Sequence, residues 1–178
     1  MTRIPMIDPT ATSGQLRVIL DNVAAKRGDV SHMMRVMANS PAVLGGYLGF
    51  GAALDNGVLP AALRERIAIA VAEANACGVC LAAHTHFGRS EGLSDVELSA
   101  ARDAGSADPA SAAALRFALA VMRSIGHVSD AALDEVKAAG FDDAAIMEIT
   151  AVVFINVLTN AINHIAETVP DYPVVCAR

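Results

Sequence analysis

Apolar residues recur along this chain at spacings of three and four, the period of a helix with one buried face. Leu16, Ile19, Leu20 and Val23 form one such stripe and predict a helix over residues 15–26, ended by Gly28 and Asp29. Met33, Met34 and Met37 mark a second helix from about Ser31 to Ala38. Ser40-Pro41 has the form of a start, with Ser as N-cap and Pro at the first helical position, and that helix reaches about Leu54 before Asp55-Asn56-Gly57. Pro60 opens a helix over residues 60–74. Asn75 to Gly78 predicts a break or tight turn, and a new helix begins close to Cys77 and runs to about Ser90, with Gly92 as its stop. Pro109 starts a helix whose stripe is Leu115, Ala118, Leu119 and Met122, and Asp142-Asp143 caps a long last helix to about Glu167. Pro170 and Pro173 make the tail irregular. No segment alternates in the manner of a strand, and no linker divides the chain. The expectation is an all-α, single-domain helical bundle of about eight helices over residues 1–178.

Two local patterns modify this picture. Ser94-Asp95 opens a capped helix ended by Ala104-Gly105, and the same grammar returns 35 residues later at Ser129-Asp130 and Ala139-Gly140. Serine caps and glycine stops are common enough to explain the match, and a diverged duplication is the alternative. Asn156, Asn160, Asn163 and His164 make a polar stripe on the otherwise apolar last helix. The stripe either lines a pocket or a subunit interface, or forms a solvent-facing edge. Three interruptions, Glu148, Asn156 and Asn160, make residues 144–162 a buried helix rather than a membrane span, and residues 67–72 are too short to cross a bilayer.

Composition adds three constraints. The chain is 54% hydrophobic and only 4% aromatic, with alanine prominent, which favours closely packed helices over sheets. Its net charge of −6 and scattered basic residues argue against nucleic acid as a partner. The first residues, Met1 to Pro5, hold no apolar signal region, so a cytoplasmic protein is expected, and there a cysteine pair points to catalysis or metal before a structural disulfide.

The candidate chemistry lies in Cys77-Gly78-Val79-Cys80, with His84 four residues further on. If this stretch is helical, Cys77, Cys80 and His84 share one face. A thiol at a helix start feels the positive end of the helix dipole, which favours thiolate. A neutral imidazole one turn beyond Cys80 can take a thiol proton. Three readings are open: a redox dithiol, a pair of small buried side chains, or a zinc site that Cys176, His127 or Glu65 would have to complete. Glu65 stands between Arg64 and Arg66 and reads either as part of a solvated charge cluster or, if two helices pack antiparallel, as a proton acceptor for His84. His86 faces away from this group and is expected to be exposed. Cys176, near a terminus, is expected to be a mobile bystander.

Glu65, the pair Cys77 and Cys80, and His84, with the Glu twelve residues before the first Cys, resemble the signature of the AhpD-like alkylhydroperoxidase branch of the carboxymuconolactone decarboxylase superfamily. The match covers about residues 60–90, and Asn163-His164 with the tail to Pro173 is similar to the C-terminal pattern of peroxidase-related members. The resemblance implies that Cys80 is the peroxidatic thiol, that Cys77 resolves it to a disulfide, and that His84 and Glu65 relay protons. It implies an organic hydroperoxide substrate, a lipoyl-bearing or thioredoxin-like dithiol reductant, and a homo-oligomer, trimeric or hexameric. It calls for no cofactor and no metal. The sequence departs from the founding group at Val79, where that group has a second histidine, so the relay here is shorter or uses water. The alternative function is a dithiol/disulfide oxidoreductase or redox-switch oligomer without peroxidase activity.

Overall fold

The computed structural model describes residues 2–178. Among them are nine α-helices and one short 3-10 turn, and no strand. The helices are α1 (Gly14–Arg27), α2 (His32–Met37), α3 (Pro41–Asp55), α4 (Ala61–Ala74), α5 (Gly78–Ser90), α6 (Asp95–Arg102), α7 (Pro109–Ser124), α8 (Asp130–Ala138) and α9 (Asp143–Ala166). The expected all-α fold is present, with one helix more than the expected eight or so.

Most starts and stops follow from residues already named. Ser31, Ser40, Ser94, Ser129 and Asp142 each accept a backbone N–H three residues ahead. Ser94 and Glu97 complete a reciprocal capping box. The two Ser/Gly patterns 35 residues apart diverge at their ends, because Ala104 takes the left-handed conformation after α6 while Gly140 takes it after α8. Their stops are thus offset by one residue, and common capping chemistry is sufficient to explain the likeness.

Helices this short are marginal alone, since isolated helices below about 12–15 residues rarely persist in water. Packing holds them. α4 is the central element and contacts α5, α6, α7 and α9. Ile67, Ile69, Ala70, Val71 and Ala72 are fully buried, so this helix is apolar on nearly all sides, as a core helix must be. Ala114 and Ala118 on α7 are likewise fully buried, and their small side chains let the helices approach closely. A second, smaller cluster of Leu20, Val23, Val30, Met34, Met37 and Leu44 joins α1, α2 and α3, and Tyr47 packs against both clusters. α9 has the length and composition of a membrane span, yet it supplies core residues from Ala145 to Ala166 and contacts α2, α3, α4, α5 and α7. Its Glu148 accepts the N–H groups of Val58 and Leu59, which fixes the loop leading into α4.

The C-terminal tail is pinned, which corrects the expectation of a mobile Cys176. Glu73 accepts Arg102 Nε at 2.7 Å and the Arg178 backbone N–H at 2.7 Å. Arg102 also donates to the Cys176 carbonyl at 2.7 Å, and the Arg178 guanidinium reaches Asp103 and Ser99. Buried carboxylates and guanidiniums require such partners, and the tail supplies them. Burial opposes the charged form of Glu73, but the hydrogen bonds from Arg102 and Arg178 outweigh it and hold its pKa below the ordinary 4.5. A carboxyl with a lowered folded pKa contributes stability above its unfolded value, and that contribution is lost as pH falls through the folded value. Protection of residues 174–178 from hydrogen exchange should therefore hold above pH 4.5 and fall on acidification below it. Glu73→Gln should loosen the tail already at neutral pH; unchanged protection in that variant would contradict the assignment.

Candidate active site

α4 and α5 form a tight antiparallel hairpin. Asn75 ends α4, Ala76 takes a positive φ of 52°, and Cys77 is the N-cap of α5. The turn is held from α9, where Asn160 Oδ1 accepts Asn75 Nδ2 at 2.9 Å and His164 Nε2 lies 2.9 Å from the Asn75 carbonyl. A carbonyl only accepts, so that nitrogen carries the proton. Further along the hairpin Gly88 faces Glu65. The two helices close at ordinary contact here: a Cβ at Gly88 would stand 3.8 Å from Glu65 Cβ, and it is the end of the Leu98 side chain on α6, 2.7 Å away, that would have to shift.

That closure places Glu65 Oε2 2.8 Å from His84 Nδ1. An ionised Glu65 fixes the proton on Nδ1 and leaves Nε2 as the free base, the second-partner arrangement that orients catalytic histidines. Both side chains are about one-fifth exposed, enough to exchange protons with a cavity while remaining ordered. Cys77 and Cys80 are joined as a disulfide, with Cα atoms 5.3 Å apart, and are 2% and 4% exposed. Cys77 Sγ accepts the Cys80 N–H at the helix start. Among the described residues no group of three or more His, Cys, Asp or Glu is placed to hold a metal ion.

The disulfide lies between two cavities. Cys80, Glu65 and His84 line the larger, of about 650 Å³. Cys77 lines the smaller, of about 330 Å³, together with Thr168, Val175 and Cys176. Val79 and Asn163 border both. Asn163 Nδ2 donates to Cys80 Sγ at 3.2 Å, a contact that would stabilise the negative charge of a Cys80 thiolate in the reduced protein. Hydrogen bonds to charged groups are worth about 1.5–3 kcal/mol, so Asn163→Ala should raise the Cys80 thiol pKa and slow its alkylation near neutral pH by about tenfold. An unchanged pH profile of alkylation would remove Asn163 from this role.

The wall of the larger cavity is partly built by the tail. Tyr172 stacks on His86 at 4.4 Å between centroids and meets Phe87 edge-on at 5.4 Å. Asp171 accepts the His32 backbone N–H, and His32 Nδ1 lies 3.1 Å from the Val169 carbonyl, which ties the tail to α2.

The four residues singled out in the sequence form two pairs, Glu65 with His84 and Cys77 with Cys80, and Glu65, His84 and Cys80 line one cavity. The condition placed on Glu65, an antiparallel pair of helices, is met. The Asn stripe is a buried wall, since Asn156, Asn160 and Asn163 are 7%, 1% and 5% exposed; the solvent-edge alternative is corrected, and only His164 is exposed. His86 is exposed as expected, but it is engaged with Tyr172. Sequence reasoning missed the contact of Asn163 with Cys80 and the return of Tyr172. The stripe was a signal for the first. Nothing local signals the second, because it depends on where the tail lies.

Comparison with known proteins agrees with this fold. The model of the carboxymuconolactone decarboxylase family matches residues 41–124, which span α3 to α7. An AhpD-core, uncharacterised peroxidase-related protein from Ralstonia eutropha JMP134 has a similar structure at 24% identity, with 96% of this chain and 92% of that one covered and a TM-score of 0.86. A peroxidase-related protein from Silicibacter sp. TM1040 is similar at 22% identity, 95% and 90% coverage and a TM-score of 0.81. The debrominase Bmp8, as a cysteine-to-alanine variant in complex with 2,3,4-tribromopyrrole, is similar at 20% identity, 96% and 92% coverage and a TM-score of 0.79. No curated protein matches.

Proposed function

Because this chain carries a carboxymuconolactone decarboxylase family segment within an AhpD-like fold, we propose that it is a thiol-dependent peroxidase that reduces organic hydroperoxides and is recycled by an external dithiol. The observation that supports this most is the pairing of Cys80 with Cys77 on one side and with the Glu65–His84 hydrogen bond, in one cavity, on the other.

In the reduced protein His84 Nε2 accepts the Cys80 proton, with Glu65 stabilising the imidazolium through Nδ1–H. The thiolate attacks the distal peroxide oxygen, forms an S–O bond and breaks the O–O bond. The leaving alkoxide takes the proton back from His84 and departs as alcohol. Cys80 is left as sulfenic acid, and the Cys77 thiol condenses with it to give the observed disulfide and water. Two electrons from an external dithiol, of lipoyl or thioredoxin-like class, then restore both thiols by exchange. The proton path here is two-membered, because Val79 offers no proton where the founding AhpD group has a histidine. A homo-oligomer, trimeric or hexameric, belongs to the same proposal; exposed Phe50, Val18, Leu158 and Ile165 are available to such contacts.

Peroxide consumption followed with cumene hydroperoxide and dithiothreitol tests the reading. Steady turnover supports it. A disulfide that exchanges normally without any hydroperoxide turnover would leave the oxidoreductase or redox-switch alternative. The debrominase likeness makes 2,3,4-tribromopyrrole the informative second substrate in the same assay.

A further inference from the structure

The disulfide has a problem of access. Cys77 and Cys80 are 2% and 4% exposed, so a folded protein reductant has no direct approach to either sulfur. Cys80 lines the larger cavity, and the wall of that cavity includes the ring cluster of Tyr172, His86 and Phe87. Cys77 lines the smaller cavity, and a third cysteine lines it as well. Cys176 is free and exposed, and lines the same 330 Å³ space as Cys77.

Its position there is imposed by the fold. The Val175 carbonyl lies 3.4 Å from where a Cβ on Gly78 would stand, so the tail crosses the start of α5 in close contact. Val175 and Ala177 pack toward the core, on either side of exposed Cys176. Arg102 anchors this short crossing at the Cys176 carbonyl, and Glu73 anchors it at the Arg178 N–H. The cavity also has unmet polar groups in its wall. Thr168 Oγ1 and Asn163 Oδ1 have no hydrogen-bond partner, and their residues are 6% and 5% exposed. Buried polar atoms without partners are uncommon.

We propose that Cys176 is a third redox thiol, which exchanges with the Cys77–Cys80 disulfide through the smaller cavity and carries the disulfide to the surface for a protein reductant. The inference rests on the redox reading of the pair, though not on peroxide as its oxidant. As thiolate, Cys176 Sγ attacks Cys77 Sγ. A Cys176–Cys77 bond forms, the Cys77–Cys80 bond breaks, and the electron pair leaves on Cys80. The Asn163 amide receives that developing thiolate. The proton lost from Cys176 to solvent is regained by Cys80, so the exchange is neutral in protons and electrons. An external dithiol then attacks the exposed Cys176 sulfur; its second thiol completes its own oxidation, and Cys77, Cys80 and Cys176 all end reduced.

Two measurements test this. In Cys80→Ser, treated with diamide at low protein concentration and acid-quenched, mass mapping should find an intrachain Cys77–Cys176 disulfide in most molecules; two free thiols, or only interchain links through Cys176, would overturn the proposal. In the full-length oxidised protein, Cys176→Ser should slow reduction by a thioredoxin at least about tenfold, while reduction by tris(2-carboxyethyl)phosphine, small enough to enter a cavity, stays within about twofold of wild type. Equal thioredoxin rates would overturn the relay even where Cys80→Ser fails to fold. Neither readout consumes peroxide, so a failure of the peroxidase reading leaves this test intact, and a failure here leaves the peroxidase reading intact.

Discussion

Cys80→Ser is expected to abolish hydroperoxide turnover, and Cys77→Ser to permit one oxidation per molecule and then stop. The asymmetry follows from position. Cys80 shares the larger cavity with the Glu65–His84 pair and accepts a hydrogen bond from Asn163, whereas Cys77 borders the smaller cavity and accepts only the Cys80 backbone N–H within the hairpin. A serine hydroxyl is a far weaker nucleophile than a thiolate at neutral pH, so the first variant loses the attacking atom itself. The second retains attack but lacks the neighbouring thiol that condenses with the sulfenic acid. Stopped-flow consumption with one equivalent and then excess hydroperoxide separates the two. Burst behaviour from Cys80→Ser, or steady turnover from Cys77→Ser, would reverse the assigned roles.

Glu65→Gln is expected to lower the rate of Cys80 oxidation by about 10²-fold, the low end of what a positioned acid–base group contributes. A glutamine amide can present a donor to His84 Nδ1, which moves the ring proton to Nε2 and removes the free base at that nitrogen. It also deletes the charge that stabilises the imidazolium. His84→Ala should match this loss, and the double variant should cost little more than either single change, since the two residues act as one unit. A full sum of the two losses in the double variant would show that they act separately.

Helix positions were legible because their signals are local. Ser40-Pro41, Ser94 with Glu97, and Asp142 satisfy their own helix starts, whatever packs on them. The core of the site was legible for a similar reason. Glu65 and His84 are nineteen residues apart on one hairpin, so a turn at Asn75 suffices to bring them together. Asn163 is eighty-three residues from Cys80, and its role depends on how α9 crosses α5. The alternatives for its stripe, pocket wall or wet edge, have the same sequence and differ only in rotation about the helix axis. The tail was the hardest part. Pro170 and Pro173 predict irregular backbone, but the ion pairs that anchor residues 176–178 are made with α4 and α6, and no sequence period reports them.

The hairpin has a consequence for the order in which this protein matures. Its reactive groups lie within a twenty-residue span, so closing it costs little chain entropy, and contacts so near in sequence form early in folding. Asn163 and Tyr172 join from the far end of the chain only when α9 and the tail have docked. During synthesis the two thiols therefore become neighbours before anything shelters them. An oxidant reaching the nascent chain at that stage meets a pair already set to close into the native disulfide, which staples the hairpin at the heart of the core instead of trapping a wrong pairing with Cys176, still to be made.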